Sequence, residues 1–381
     1  MSEREECLEI LAELVAARTE NPPGNESEAA VVVAQWFEKY GIAYRTYEKV
    51  PGRANIIGTV GSGSPVILVA SHLDTVPAGS GWDSDPFTLR VEGGRAYGRG
   101  ACDNKAAMAG SLIAAKRLAA RGGALKATVL IAGVADEERG NEFGASYLFE
   151  DVGLKADYAI IPDSSSHMGE LGVAEKGIVW AAIKSHGKAA HGSRPHLGRN
   201  AIVQMARLIG ILQSSELPSP PHEGFSPTTM NIGKISGGTA PNAVPEVCEV
   251  EIDFRVLPGM GEDDVYSFID GCIARAAATD PEASFAVERH TWMPPHDVPL
   301  DSKIVQAVQE ASRRVFGREM KLLYQGGVTL AKEFNRAGIP AVALGPGSTE
   351  AAHTANEWIE IDEIMSFAEF VVAAVDVLRG A

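Results

Sequence analysis

Four short, largely apolar runs each end close to a histidine or a carboxylate. PVILVA precedes Ser71-His72-Leu73-Asp74 and ATVLIAGVA precedes Asp136-Glu137-Glu138, while DYAIIP precedes Asp163 and AVALGPGS lies just ahead of His353. A strand with one wet face alternates apolar and polar residues, whereas a run that is apolar throughout is buried on both faces. Such runs mark the inside of a largely parallel sheet covered by helices. The segments between them have helical spacing: Leu8, Leu11, Leu14 and Val15 predict a helix over Glu3–Arg18, ended by Asn21-Pro22-Pro23-Gly24. A second helix is expected up to Tyr40, with Asn25 and Glu28 as a capping pair, and a third over Asn104–Arg121. Strands are expected at Asn55–Val60, Pro65–Ala70, Ala127–Ala135 and Asp157–Ile161. The first domain is therefore α/β, with a mixed, largely parallel sheet flanked by helices.

From Gly177 the pattern changes. Val250, Ile252 and Phe254 alternate with Glu249, Glu251 and Asp253, which is the period of a strand buried on one face only. Strands at Ile178–Ser185, Thr228–Ser236, Val247–Val256 and Ser284–Thr291, with helices at Asn200–Gln213 and Asp263–Ala278, give the order β-α-β-β-α-β of a ferredoxin-like α+β arrangement. After Pro294 the first pattern returns. A helix is expected to about Phe316, a strand at Leu322–Tyr324, a helix near Thr329–Ala337, a strand at Ala341–Leu344 and a helix at Ile361–Leu378. The expected organisation is residues 1–176 and 294–381 as one domain, with 177–293 inserted as a second. At 381 residues the chain exceeds what one core usually holds.

The formal net charge of −16 argues against nucleic acid or an anionic membrane surface as partner. No apolar stretch is long enough to span a bilayer, and the acidic start MSEREECLEI lacks the apolar centre of a signal peptide, so a cytoplasmic protein is expected. Cys7, Cys102, Cys248 and Cys272 have no spacing that suggests a thiolate site or a disulfide framework.

In open α/β sheets ligands bind beyond the carboxyl ends of the strands. His72, Asp74, the Asp136-Glu137-Glu138 turn, Asp163 and His353 are all expected at that edge. Asp103, in GRGACD just before a helix, joins them. Imidazole nitrogens and carboxylate oxygens suit zinc, and a bridging carboxylate would hold two ions about 3.5–4 Å apart. Asp74, two residues after His72 on extended chain, could orient its imidazole. Each element alone has a plainer reading: a hydrogen-bonded pair for His72 and Asp74, a solvated turn at 136–138, a helix cap at Asp103, an Asx turn at Asp163-Ser164-Ser165, a surface histidine at 353. Their convergence on one edge carries the inference.

Together SHLDTVP, GRGACDNKA, ADEE, HGSRPHLGRNA, DFRVLPG and GPGSTEAAHTANEWI resemble the aminoacylase superfamily. It includes acetylornithine deacetylase, succinyl-diaminopimelate desuccinylase and the bacterial glutamate carboxypeptidase. The resemblance runs through nearly the whole chain in order. It implies a di-zinc amidohydrolase of N-acyl-L-amino acids, with cobalt or manganese as possible substitutes for zinc. Asp103 would bridge the metals, His72 and Asp163 would complete one shell, and Glu138 and His353 the other. Glu137 would be the general base, passing a proton from water to the leaving nitrogen. The family also has a non-proline cis peptide after the bridging aspartate, here Asp103–Asn104.

The inserted domain would be a lid that closes about hinges near Glu175–Gly177 and Met293–Pro295, and the surface of a homodimer. His191 would reach the partner subunit's site and stabilise an oxyanion. Asn242, Arg255 and the backbone of Gly345, Gly347 and Ser348 would hold a substrate carboxylate. Arg255 has an equally plain reading as a structural ion pair, and His186, His196 and His222 receive no role. Two positions depart from the family pattern: Ala106 stands where relatives often have glycine, and Leu330 where many have aspartate. A dipeptidase or glutamate-carboxypeptidase-like metallopeptidase is the alternative within the class. A non-catalytic, metal-binding regulatory protein on the same scaffold is the alternative outside it.

Overall fold

The four apolar runs fold as the strands Val66–His72, Thr128–Val134, Tyr158–Ile161 and Ala341–Ala343 of a computed structural model that describes residues 1–163 and 166–380. They lie side by side and parallel. Val66–His72 has Thr128–Val134 on one side and Tyr158–Ile161 on the other, and Ala341–Ala343 adds beyond Tyr158–Ile161. Ile67, Leu68, Val69 and Ala70 are all fully buried, so both faces of the central strand are covered. Burying a leucine or valine side chain contributes about 1.5–3 kcal/mol.

Leu68, Ala70, Ala132, Val134, Ala159 and Ile161 share a core with Leu330, Ala331 and Phe334 of the helix Leu330–Arg336. The helix Lys105–Ala119 also packs on Val66–His72. Its small residues let the C-terminal helix Ile361–Leu378 approach closely: a Cβ on Gly110 would stand 2.9 Å from Phe367 and 3.1 Å from the Ile364 carbonyl.

Antiparallel strands make the sheet mixed. Ala54–Gly61 pairs with Thr128–Val134, Ala43–Glu48 pairs outside it, and Glu170–Glu175 meets Ala341–Ala343 at Gly172 and Ala343. Ala43–Glu48 and Glu170–Glu175 escape sequence reading because AYRTYE is a mostly polar, exposed edge and ELGVAE has glutamate at both ends and a glycine inside. A separate three-stranded sheet, Arg90–Glu92, Arg95–Tyr97 and Trp358–Glu360, leads the chain into the Gly98–Asp103 loop. It too was not foreseen.

Two local expectations are corrected. Asn25 does not cap the second helix, which starts at Ser27; it stands at φ +81° and its side-chain amide donates to Glu28 instead. The helix expected after Pro294 begins only at Lys303, since Pro294, Pro295 and Pro299 lack the amide protons a helix needs. The last two residues of the turn expected at Asp163-Ser164-Ser165 lie outside the described residues.

The chain divides into two units, 1–173 with 298–323 and 328–381, and 174–297 with 324–327. The second has strands in the order Thr229–Gly237, Val247–Val256, Gly177–His186, Ser284–Met293, every neighbour antiparallel. Val179, Ala181, Ile183, Val250, Ile252 and Phe254 form its core with Met205, Leu208 and Leu212 of the helix Ala201–Ser214 and with Ile269 and Cys272 of the helix Glu262–Thr279. Tyr324–Gly327, read in sequence with the first domain, groups here because Tyr324 packs edge-on against Phe225. The Gln325 carbonyl accepts from Lys176 N–H at 2.9 Å, and the Gly326 carbonyl accepts from Arg255 at 3.0 Å. No helix among the described residues is long and apolar enough to cross a membrane.

Candidate active site

Parallel register brings the reactive residues to one edge. His72 ends its strand opposite Val134, and Leu73 N–H donates to the Val134 carbonyl at 2.8 Å. The chain therefore leaves the sheet at His72 and at the 135–138 turn on the same level. The next two strands deliver Asp163 and the Gly345–Ser348 loop. A Cβ on Gly345 would stand 2.4 Å from the Asp163 carbonyl oxygen, so only glycine lets these two segments lie so close.

His72, Asp103 and Glu138 each bring a ligating atom within 4.8 Å of the other two. His72 Nε2 lies 2.9 Å from Asp103 Oδ1. His353 Nε2 lies 3.2 Å from Asp103 Oδ2 and 3.2 Å from Glu138 Oε1. Asp103 thus turns one oxygen to each histidine. Two ligands about 2.0–2.1 Å from a tetrahedral zinc stand roughly 3.3 Å apart. The donor spacing and the mixed imidazole–carboxylate chemistry fit a metal centre. The Asp103–Asn104 peptide is cis.

Asp74 is fully buried, and its role differs in detail from the sequence expectation. His72 Nδ1–H donates to the Asp74 backbone carbonyl at 3.0 Å, while the nearer carboxylate oxygen is 3.5 Å away. Both carboxylate oxygens are used elsewhere. Oδ1 accepts from Glu137 N–H and Oδ2 from Glu138 N–H, each at 3.1 Å. Asp74 therefore fixes the turn that carries the expected base, Glu137, and an expected metal ligand, Glu138.

Charge crowding follows from this geometry. Burial pushes the Glu137 carboxyl well above the usual range, against the pull of His72, and the like charges of Asp163, Glu138 and Asp103 add to the rise. Burial opposes a proton on His72, yet the hydrogen bond His72 makes to Asp103, with the Asp74 carboxylate 3.5 Å away, holds its pKa well above the ordinary value. Asp103 and Glu138 hold His353 up at about 10. Lys105, fully buried with its ammonium donating to the Ala17 carbonyl at 2.7 Å, is pushed down to about 7 by burial.

Other expected residues lie apart from this cluster in sequence. His191 bridges to Ala243, and Gly192 N–H donates to the Asn242 carbonyl at 2.7 Å. His191 and Asn242 are thus adjacent in the second unit. Arg255, in the same unit, is ion-paired with Asp253 at 3.0 Å, the plainer of its two readings. Gly347 N–H is already donated to Glu363 Oε2 at 2.8 Å, and Glu363 Oε1 lies 2.6 Å from His167 Nδ1. Ser348 Oγ accepts from Glu350 N–H at 3.2 Å.

A buried polar network behind the 136–138 turn was missed. Asp136 is buried with φ +64°, a left-handed conformation uncommon for a residue with a Cβ. Arg53 Nη2 donates to its Oδ1 at 2.8 Å and, with Nε, clasps Glu26 through both carboxylate oxygens at 2.7 and 2.8 Å. Asn21 Nδ2 donates to Asp136 Oδ1 and Asp74 Oδ2 at 3.0 and 2.9 Å. A Cβ on Gly24 would stand 2.3 Å from the guanidinium of Arg53, which ties the Pro22-Pro23-Gly24 breaker to this network. We expect Arg53→Met to cost about 3–5 kcal/mol of unfolding free energy, because it leaves Glu26 and Asp136 buried without their cation. Guanidinium unfolding measures this, and a loss under about 1 kcal/mol would remove Arg53 from the supports of the turn.

The model of peptidase family M20/M25/M40 matches residues 68–376. An acetylornithine deacetylase of Erwinia tasmaniensis is 31% identical over 367 residues, 93% of this chain and 92% of that protein. The crystal structure of aminopeptidase PepT from Bacillus cereus superposes with a TM-score of 0.80 at 26% identity, covering 98% of both chains. A dinuclear metal-binding M20 peptidase of Bacillus subtilis shares the fold at 19% identity, TM-score 0.77, over 99% of this chain and 98% of that one.

Proposed function

Since this chain belongs to peptidase family M20/M25/M40 and is a hydrolase of amide bonds, we propose that it removes the acyl group from an N-acyl-L-amino acid, in the manner of an acetylornithine deacetylase or succinyl-diaminopimelate desuccinylase, with two zinc ions per subunit. The observation that carries the reading is Asp103, whose two oxygens face His72 on one side and His353, next to Glu138, on the other. Co2+ or Mn2+ would fit the same donors.

In this reading His72 and Asp163 would hold one ion and Glu138 and His353 the other, with Asp103 serving both. Ions bound there would supply Lewis-acid polarisation of the scissile carbonyl and a lowered pKa for water. Glu137 accepts the proton of the attacking water and returns it to the leaving nitrogen. Asp74 keeps Glu137 and Glu138 aligned through their amide protons. His191 stabilises the oxyanion, and Asn242, Arg255 and the Gly345–Ser348 backbone orient the substrate carboxylate. Because Asp253 already holds Arg255 and Glu363 already holds Gly347 N–H, that carboxylate has to compete for both groups. Homodimerisation through the second unit, with closure of that unit as a lid, belongs to the same proposal. Its exposed Leu197, Ile202, Val203, Ile235 and Val247 support it.

The likeness to the B. cereus aminopeptidase favours a second reading, cleavage of a dipeptide or other short peptide. One panel separates the two: acetyl-, succinyl-, formyl- and aminoacyl-amino acids with the zinc-loaded protein. We expect one acyl class to exceed the aminoacyl substrates at least tenfold in kcat/KM, about 1.4 kcal/mol of discrimination. Preference for aminoacyl substrates would replace the deacylase reading with the peptidase one.

A further inference from the structure

We infer that Glu357 is a positioning residue that holds the Asp103 loop and the His353 loop at the separation a shared metal centre requires; this rests on the metal reading above. Glu357 lies four residues after His353, is fully buried, and leads into the strand Trp358–Glu360, which pairs antiparallel with Arg95–Tyr97. That pairing lays it under the Gly98–Asp103 loop, where Gly98 N–H donates to its backbone carbonyl at 3.0 Å.

Its side chain gathers the loop. Oε1 accepts from the N–H groups of Cys102 and Asp103 at 2.7 and 2.8 Å, and Oε2 from Gly100 N–H at 3.0 Å and Arg99 Nη1 at 2.6 Å. Converging backbone N–H groups form a nest for an anion, and here the anion belongs to the chain itself. Gly100 permits the wrap: it sits at φ +82°, and a Cβ there would stand 2.8 Å from both Lys105 Cδ and Thr75 Cγ2. Arg99 continues the anchor by donating to the Ala78 carbonyl at 3.2 Å.

The need for such a clamp lies in His353. Its side chain is 53% exposed and its backbone stands at φ +61°, so core packing does not fix its place. Glu357 supplies what burial does not: a short stretch of chain from His353, then two amide hydrogen bonds ending on Asp103 and its neighbour. Outer partners of metal ligands typically alter affinity 10–100-fold when removed.

The test is Zn2+ affinity by competition with a chromophoric chelator, at a temperature well below the melting point of the metal-free protein. It compares wild type, Glu357→Ala and Glu357→Gln. Ala is expected to weaken binding about 10–100-fold. Gln, whose carbonyl oxygen can still accept from Cys102 and Asp103, should lose less than Ala, and it carries the test if Ala does not fold. The Co2+ absorption spectrum should shift in the variants, which a loss of general stability would not cause. Variants that bind Zn2+ like wild type, with only a lower melting temperature, would overturn the inference. A wild-type protein without Zn2+ affinity would overturn the metal reading and the inference with it.

Discussion

Glu137→Ala lowers kcat by about 10²–10⁴-fold and leaves metal content unchanged. The expectation comes from where Glu137 stands. Its neighbour Glu138 and the histidines at 72 and 353 meet around Asp103, while Glu137 takes part in none of those contacts and is held by its backbone N–H to Asp74. Truncation therefore removes a proton acceptor without removing a proposed ligand. The side chain is half-buried and faces the like charges of Asp163, Glu138 and Asp103. Glu137→Gln should fall equally far, since an amide keeps the shape and cannot accept the proton. Steady-state kinetics on the best substrate of the panel, together with elemental analysis of the variant, measure both halves. Turnover within tenfold of wild type would sink the assignment of the base.

The second large effect is on the whole molecule. Stripping the protein with a chelator should abolish hydrolysis, and adding back Zn2+ at about a thousand times its Kd should stabilise the fold by roughly 4 kcal/mol. The cause is the concentration of charge. The charges of Asp103, Glu138 and Asp163 act on Glu137 at a single sheet edge, with Asp74 holding the same turn, and bound dications would offset that repulsion in the folded state alone. Denaturant unfolding with and without Zn2+ measures the gain. His72→Ala should lose most of it, because His72 is the buried member of the proposed ligand set and faces Asp103. A gain below about 0.5 kcal/mol at saturating metal would leave the cluster an ordinary carboxylate edge.

How much of this was readable in the sequence depends on the kind of signal. The interior strands were readable because burial on both faces removes alternation, as in Ile67–Ala70. The sheet of the second unit was readable because burial on one face imposes it, as in Val250, Ile252 and Phe254. The metal-site candidates were placed together because every apolar run ended near one of them. The supports of the site left no such trace. Glu357 bonds Asp103 across 254 positions and Arg53 bonds Asp136 across 83, and neither pair has a period or a local motif. Asp136 read as a solvated turn because a buried left-handed aspartate looks the same in sequence as an exposed one. The only available hint was glycine: Gly24, Gly100 and Gly345 each stand where a neighbouring segment leaves no room for a Cβ.

The strand Ala341–Ala343 lies between Tyr158–Ile161 and Glu170–Glu175, so an inner position of the sheet is filled by the strand that comes latest in sequence among the described strands of that sheet. Until then the nascent first unit carries an open slot with two unpaired strand edges, the kind of surface on which chains associate wrongly. The same stretch brings His353 and then Glu357, so the sheet, the proposed metal centre and its proposed anchor are completed together, after the other strands of the sheet. Messages truncated before this point would yield a chain with most of its core residues, no finished sheet and none of the proposed metal centre's last ligands, and a quality-control system would meet it as an aggregation hazard rather than as a weak enzyme.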